Sequence, residues 1–193
     1  MRILLTLLTL ILISSTAQAE TNTPRVERVL SHEEQAALTP EQVVTVLKQG
    51  NTRFVSGTIT SRDHSALVRS AADGQFPKAV ILSCLDSRIP VEDVFDRGIG
   101  DIFVARVAGN FENTDILGSM EFATAVAGAK LVLVMGHSDC GAVKAAIDGA
   151  ELGNITAMLE NIQPAIDSLA SYEGDKTSSN HEFVHMVTER NVQ

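Results

Sequence analysis

Three short apolar runs stand out along the chain: Ala79 to Ser83, Ile102 to Val107 and Leu131 to Met135. The first has Pro77 ahead of it and Pro90 beyond it, and none of the three alternates apolar with polar residues. Short, unbroken, aliphatic runs of this length read as strands buried on both faces. Between them, 90–97 and 114–128 have a helical pattern, the second with Ile116, Leu117, Met120, Phe122 and Ala123 near helical spacing. Strand, helix, strand, helix, strand predicts right-handed crossovers and a parallel sheet. The expected fold class is therefore α/β, a parallel β-sheet core flanked by helices.

The flanks add helices. Thr39-Pro40-Glu41-Gln42 combines a capping-box pattern with proline at the first helical position, which predicts a helix from there to about Gln49, closed by Gly50. Phe54 just beyond reads as a core anchor. A shorter helical stretch covers 61–72 and ends in the turn signal Asp73-Gly74. Past the third strand, 141–147 begins a helix. An amphipathic stretch over 154–169 follows, with Ile155, Met158, Leu159, Ile162, Ile166 and Leu169 on one side and Pro164 as a kink. A polar loop (172–179) and a last helix (180–193) complete the pattern.

The first nineteen residues read as an export signal and not as part of the fold. Arg2 precedes an apolar run from Ile3 to Ile13, then Ser14-Ser15-Thr16, then Ala17-Gln18-Ala19 with small residues where a signal peptidase cuts. The apolar run is too short to span a bilayer, and no cysteine follows it to carry a lipid. The expected divisions are 1–19 signal peptide, 20–38 an N-terminal arm that is irregular from Glu20 to Ser31, and 39–193 one domain, in a periplasmic protein without a stable membrane anchor. Loss of Arg2 with the leader takes the formal charge from −9 to −10. That balance argues against nucleic acid or an anionic membrane as partner.

Both cysteines of the chain fall just after apolar runs. Cys84-Leu85-Asp86-Ser87-Arg88 follows the first strand, and His137-Ser138-Asp139-Cys140-Gly141 follows the third. The carboxyl ends of parallel strands are where open sheets place their chemistry. Two thiolates and an imidazole suit Zn²⁺, with a fourth tetrahedral position left for water or for the Asp86 carboxylate. An oxidising compartment equally favours a Cys84–Cys140 disulfide, so the residues alone leave both open. The flanking His137, Asp86 and Arg88 favour the metal, because a structural bridge has no need of them.

These two motifs, with Ala105-Arg106-Val107-Ala108-Gly109-Asn110 between them and Asn51-Thr52-Arg53-Phe54 ahead, resemble the β-class carbonic anhydrases over about 51–149. The resemblance implies a β-carbonic-anhydrase-like sheet and the zinc-dependent, reversible hydration of carbon dioxide to bicarbonate and a proton. It assigns zinc to Cys84, His137 and Cys140. Asp86 and Arg88 become a dyad that orients the attacking hydroxide, Asp86 serving as fourth metal ligand if the pair breaks. Gln75 is implied as a substrate donor across a dimer interface, and Phe103, Val107, Ala108 and Gly141 as substrate-pocket residues. The assembly implied is a homodimer or a dimer of dimers.

Two residues depart from the family pattern. Phe122 stands where many relatives have tyrosine, and Ile81 stands where the bicarbonate-regulated subgroup has tryptophan, so no second bicarbonate site of that type is expected. Relatives also continue into a final edge strand, which this chain is expected to lack. The competing functions are hydrolysis of a sulfur analogue such as carbon disulfide on the same fold, and a non-catalytic exported protein that binds zinc or is held by a disulfide. His32, His64, His181 and His185 are the available proton carriers.

Overall fold

The computed structural model describes residues 28–193; the expected signal peptide, 1–19, lies outside them. Three parallel strands form the core, β1 (Ala79–Ser83), β2 (Ile102–Arg106) and β3 (Leu131–Met135), in the order β2-β1-β3. The register is in step: Ala79 pairs with Ile102 and Leu131, and Ser83 with Arg106 and Met135. Central β1 is buried along its whole length, as an unbroken aliphatic run predicts. Burying a side chain the size of Val80, Ile81 or Leu82 contributes about 1.5–3 kcal/mol. β2 and β3 were expected to be buried on both faces as well. Each is instead an edge strand among the described residues and mostly half-buried.

Alternation along β1 divides the core between two faces. On one, Ala79 packs with Val43 and Leu47 of α2 (Pro40–Val55). On the other, Val80 meets Ala123, while Cys84 joins the largest cluster with Cys140, Val143, Ile162, Phe183 and Val187. Helices α6 (Gly141–Ile147), α7 (Asn154–Leu159), α8 (Gln163–Asp167) and α9 (His181–Asn191) supply much of that cluster.

Several expected boundaries move, each for a physical reason. Residues 28–31 carry no regular structure, in line with an arm irregular to Ser31, and Ser31 then caps a helix that was not expected, α1 (His32–Ala36), in a capping box with Glu34. Gln35 of that helix is buried and donates to Pro77 O at 2.7 Å and Ala127 O at 2.8 Å, which fastens the arm to the domain. Gly50 does not end α2. The helix runs on to Val55, and glycine is needed at 50 because a Cβ there would stand 1.8 Å from Phe95 O. Phe54, expected in the core, is 38% exposed.

The stretch over 61–72 narrows to α3 (His64–Ser70), capped by Asp63, and 90–97 narrows to α4 (Val91–Val94). The helix after β2 is α5 (Thr114–Glu121) followed by a π-turn, Phe122–Val126, in which Ala127 N donates to Phe122 O at 2.9 Å. The amphipathic 154–169 stretch breaks into α7, a 3₁₀ turn (Glu160–Ile162) and α8, with Pro164 in the first turn of α8. Proline there starts a helix where a kink was expected.

Candidate metal centre

β1 and β3 end side by side, so parallel pairing brings the two motifs together across 53 residues of sequence. Cys84 leaves β1 one residue past the last pair, and Cys140 is the N-cap of α6. Both are free and buried, with their Sγ atoms 3.7 Å apart. Together with His137 they form a group whose ligand atoms all lie within 4.8 Å of one another.

The arrangement fits a tetrahedral thiophilic cation. Two metal–sulfur bonds of ~2.3 Å at a tetrahedral angle set their sulfurs ~3.8 Å apart. His137 Nδ1 lies 2.8 Å from Ser138 O. A carbonyl only accepts, so Nδ1 carries the proton and Nε2 holds a bare lone pair. That Nε2 is buried and has no hydrogen-bond partner. Buried polar atoms are seldom left unpaired, and a cation held between the two sulfurs would give this one a partner.

The thiols are held from behind by backbone. Gly109 N–H donates to Cys84 Sγ at 3.4 Å. Gly109 has φ +86°, and a Cβ on it would fall 2.5 Å from Ile162 Cδ1, so only glycine brings this amide under the sulfur. Asn191 of α9 donates to Gly109 O at 2.7 Å and so fixes the next peptide, on the other side of the same glycine. Burial, then the neighbouring Cys84, pushes the Cys140 thiol up, while the Val143 and Ala142 amides pull it down by less.

Asp86 and Arg88 form a closed fork: Nε to Oδ1 at 2.9 Å, Nη2 to Oδ2 at 2.7 Å, and the Arg88 backbone N–H to Oδ1 at 2.9 Å. The Arg88 guanidinium, and after it the Arg88 amide, holds the Asp86 carboxyl far below the usual carboxylate range. Asp86 Oδ2 lies 3.8 Å from His137 Nε2, so the carboxylate borders the ligand group while remaining on its arginine. Arg88 also donates to Asp139 O at 3.2 Å, which ties the first motif to the second. Asp139 takes φ +54° to make that turn, and the Lys144 ammonium lowers its carboxyl.

The remaining expected site residues divide. Val107 lies level with the ligands: its N donates to Ser83 O, and Leu85 N donates to Val107 O, each at 3.2 Å. Ala108 is half-buried beside it, and Gly141 opens α6 with open space where a Cβ would be. Phe103, expected beside the metal group, is not there within one protomer. The register pairs it with Val80, four residues short of the level of Cys84, or ~13 Å along the sheet at ~3.3 Å per residue. Gln75 is exposed ahead of β1, at the opposite end of that strand from Cys84. Phe103 instead meets Phe122 edge-to-face, with centroids 6.4 Å apart, in a groove of about 650 Å³.

Of the histidines considered as proton carriers, His185 shares a cleft of about 210 Å³ with His137, Ser138 and Glu189, and its Nε2 lies 3.3 Å from Glu189 Oε1. His181 lies 3.8 Å from Asp139, His32 packs against Phe76, and His64 begins α3. Sequence reasoning gave no role to Arg106, Gly109 or Asn191. Aligning the strands in parallel register would have found the first, since it puts Arg106 level with Ser83.

Comparison with known proteins agrees with this geometry. The family profile described as carbonic anhydrase matches residues 79–193. Carbonic anhydrase 2 of Mycobacterium tuberculosis (strain CDC 1551 / Oshkosh) is 39% identical over 158 residues, covering 75% of this chain and 75% of that protein. Among solved structures, a β-carbonic anhydrase of the fungal pathogen Aspergillus fumigatus superposes with a TM-score of 0.59 at 25% identity, over 79% of this chain and 71% of that one. One of two tetrameric β-carbonic anhydrases from Sordaria macrospora gives 0.59 at 26% identity, over 78% and 77%.

Proposed function

This chain belongs to the β-class carbonic anhydrases, so its reaction is the reversible hydration of carbon dioxide to bicarbonate and a proton, and we propose that Cys84, His137 and Cys140 hold the zinc ion on which that reaction depends. The observation that carries this is the buried, unpartnered His137 Nε2 facing two sulfurs at tetrahedral spacing. When bound there, zinc makes hydroxide available from water near neutral pH. The protein's own groups do the rest. Asp86, held on Arg88, accepts a hydrogen bond from the attacking oxygen and so turns a lone pair toward the carbon. Val107 and Ala108 supply apolar contact for a small apolar substrate, with Gly141 bordering the opening.

Gln75 and Phe103 lie too far along the sheet to serve their own site. We read them as serving a second copy, so that Gln75 and Phe103 of the partner subunit complete each pocket in a homodimer. The named relatives are carbonic anhydrases, which favours carbon dioxide over a sulfur analogue and over a non-catalytic role. The pattern of Arg2, the apolar run and Ala17-Gln18-Ala19 supports cleavage after Ala19 and a periplasmic location. No helix among the described residues is long and apolar enough to cross a membrane. Metal analysis and a carbon dioxide hydration assay on the chain from Glu20 test the reading. About one zinc per chain with hydration activity is expected, and activity without zinc would overturn it.

A further inference from the structure

Arg106 closes β2, and its guanidinium reaches beyond the strand end to two backbone carbonyls. Its Nε donates to Cys84 O at 2.9 Å and its Nη2 donates to Asp86 O. These carbonyls flank Leu85, which is 64% exposed, so one planar group spans the turn that carries both a sulfur ligand and the orienting carboxylate. The regular ladder ends just before this turn, at the pairs Ser83–Arg106 and Ser83–Met135. Beyond it, the Leu85 N–H bond to Val107 O holds the turn on one side and the Arg106 fork holds its carbonyls.

We propose that Arg106 is a positioning residue for the hydration reaction: it holds the Cys84–Asp86 turn so that Cys84 Sγ and the Asp86 carboxylate keep a fixed relation to each other. This rests on the reading that Cys84, His137 and Cys140 bind zinc. The two arginines divide the work. Arg88 binds the Asp86 side chain and, through Asp139 O, the second motif, whereas Arg106 binds only the main chain of the first. A rigid, planar fork suits two carbonyls two residues apart. A lysine ammonium keeps the charge and lacks the fork. Because Arg106 and Leu85 face solvent, water can replace the lost donors in a truncated variant, so the fold survives while the turn loses its fixed geometry.

The test compares the parent with Arg106→Ala and Arg106→Lys, by chelator competition for zinc, by kcat and KM for carbon dioxide, and by rescue with low concentrations of guanidinium ion. Groups that orient metal ligands typically alter metal affinity or activity about 10- to 100-fold when removed. The expected result for Arg106→Ala is a zinc affinity or kcat at least ~10-fold lower, KM little changed, and partial recovery with guanidinium. Arg106→Lys should fall between the two. Parental zinc affinity and kcat in Arg106→Ala would overturn the proposal, as would full parental behaviour in Arg106→Lys, since charge alone would then suffice. If Arg106→Ala does not fold, the lysine variant decides on the same criterion. A parent that binds no zinc defeats the metal reading itself, whereas a zinc-loaded parent with indifferent variants defeats only this inference.

Discussion

Cys84 Sγ and Cys140 Sγ stand 3.7 Å apart in the core, too far for a covalent bond and close enough to share one cation. Each comes from a different strand end, and burial together with Cys84 raises the Cys140 thiol above its ordinary range. The site therefore disfavours charge on the Cys140 sulfur until a cation neutralises it. Zinc coordination needs both as thiolates, so binding releases protons.

Cys140→Ser should lose zinc and hydration activity together. The raised Cys140 thiol also gives a sign for pH. Protons compete with zinc up to a higher pH than for a free thiol, so zinc affinity measured by chelator competition should climb as pH rises and fall steadily on acidification. Affinity that stayed flat across that range would speak against thiolate ligation. A metal-free protein whose mass is two hydrogens light would show a Cys84–Cys140 bridge in its place.

Asp86→Ala should keep zinc and lose about 100-fold or more of kcat, in the range of positioned acid–base and orienting groups. Arg88 holds the Asp86 carboxyl far below its usual value, so this group stays ionised at any working pH and contributes no limb to the pH–rate profile near neutrality. Arg88→Ala should release the carboxylate, which lies 3.8 Å from His137 Nε2 at the border of the ligand group, and leave it free to become the fourth ligand of a bound zinc ion. Parental hydration rates in either variant would remove the dyad from the mechanism.

The strands were legible because short unbroken aliphatic runs, the first of them between Pro77 and Pro90, leave few other readings, and the ligand set because cysteine, histidine and aspartate came soon after those runs. Other features depended on contacts distant in sequence. Gly50 looks like a helix stop until Phe95 O is seen against it, and Gln35 looks like a solvated arm residue until Pro77 O and Ala127 O are seen accepting from it. The position of Phe103 depends on strand register, which the pattern of apolar residues does not contain. Arg106 acts on backbone carbonyls, which no side-chain motif records.

Asp96 tests the packing that supports the site. It is fully buried with φ +49°, and it accepts from Arg53, from Arg62, and from Thr60 N and Oγ1 at 2.8 Å each. Burial works to raise its carboxyl, but the Arg53 and Thr60 hydrogen bonds prevail and lower it to about 2. The folded value is depressed, so its stabilisation is present above the ordinary value of 3.8 and is lost as pH falls through about 2. Asp96→Asn should cost about 3–5 kcal/mol by urea unfolding at pH 7, because the buried group to which Arg53 and Arg62 both donate loses its charge. The difference from the parent should shrink as the pH is taken from about 4 to 2. A constant difference over that interval would mean that the carboxylate charge is not the source.

Phe122 tests the assembly. Leu117, Phe122 and Val126 are 45%, 52% and 71% exposed along α5 and its π-turn, and Phe122 lines the groove that holds Phe103 of β2, an edge strand among the described residues. An apolar strip of this kind marks an interaction surface. If a second copy covers it and receives Phe103 and Gln75 into its own pocket, a charge placed there should separate the subunits without touching the metal ligands, which lie ~13 Å further along the sheet. Phe122→Asp is therefore expected to give monomers by light scattering, with parental zinc content and hydration activity lowered more than ~10-fold, on the scale of a misplaced or missing pocket wall. A fully active, zinc-loaded monomer would show that each chain completes its own site and would leave Phe103 and Gln75 without a catalytic part.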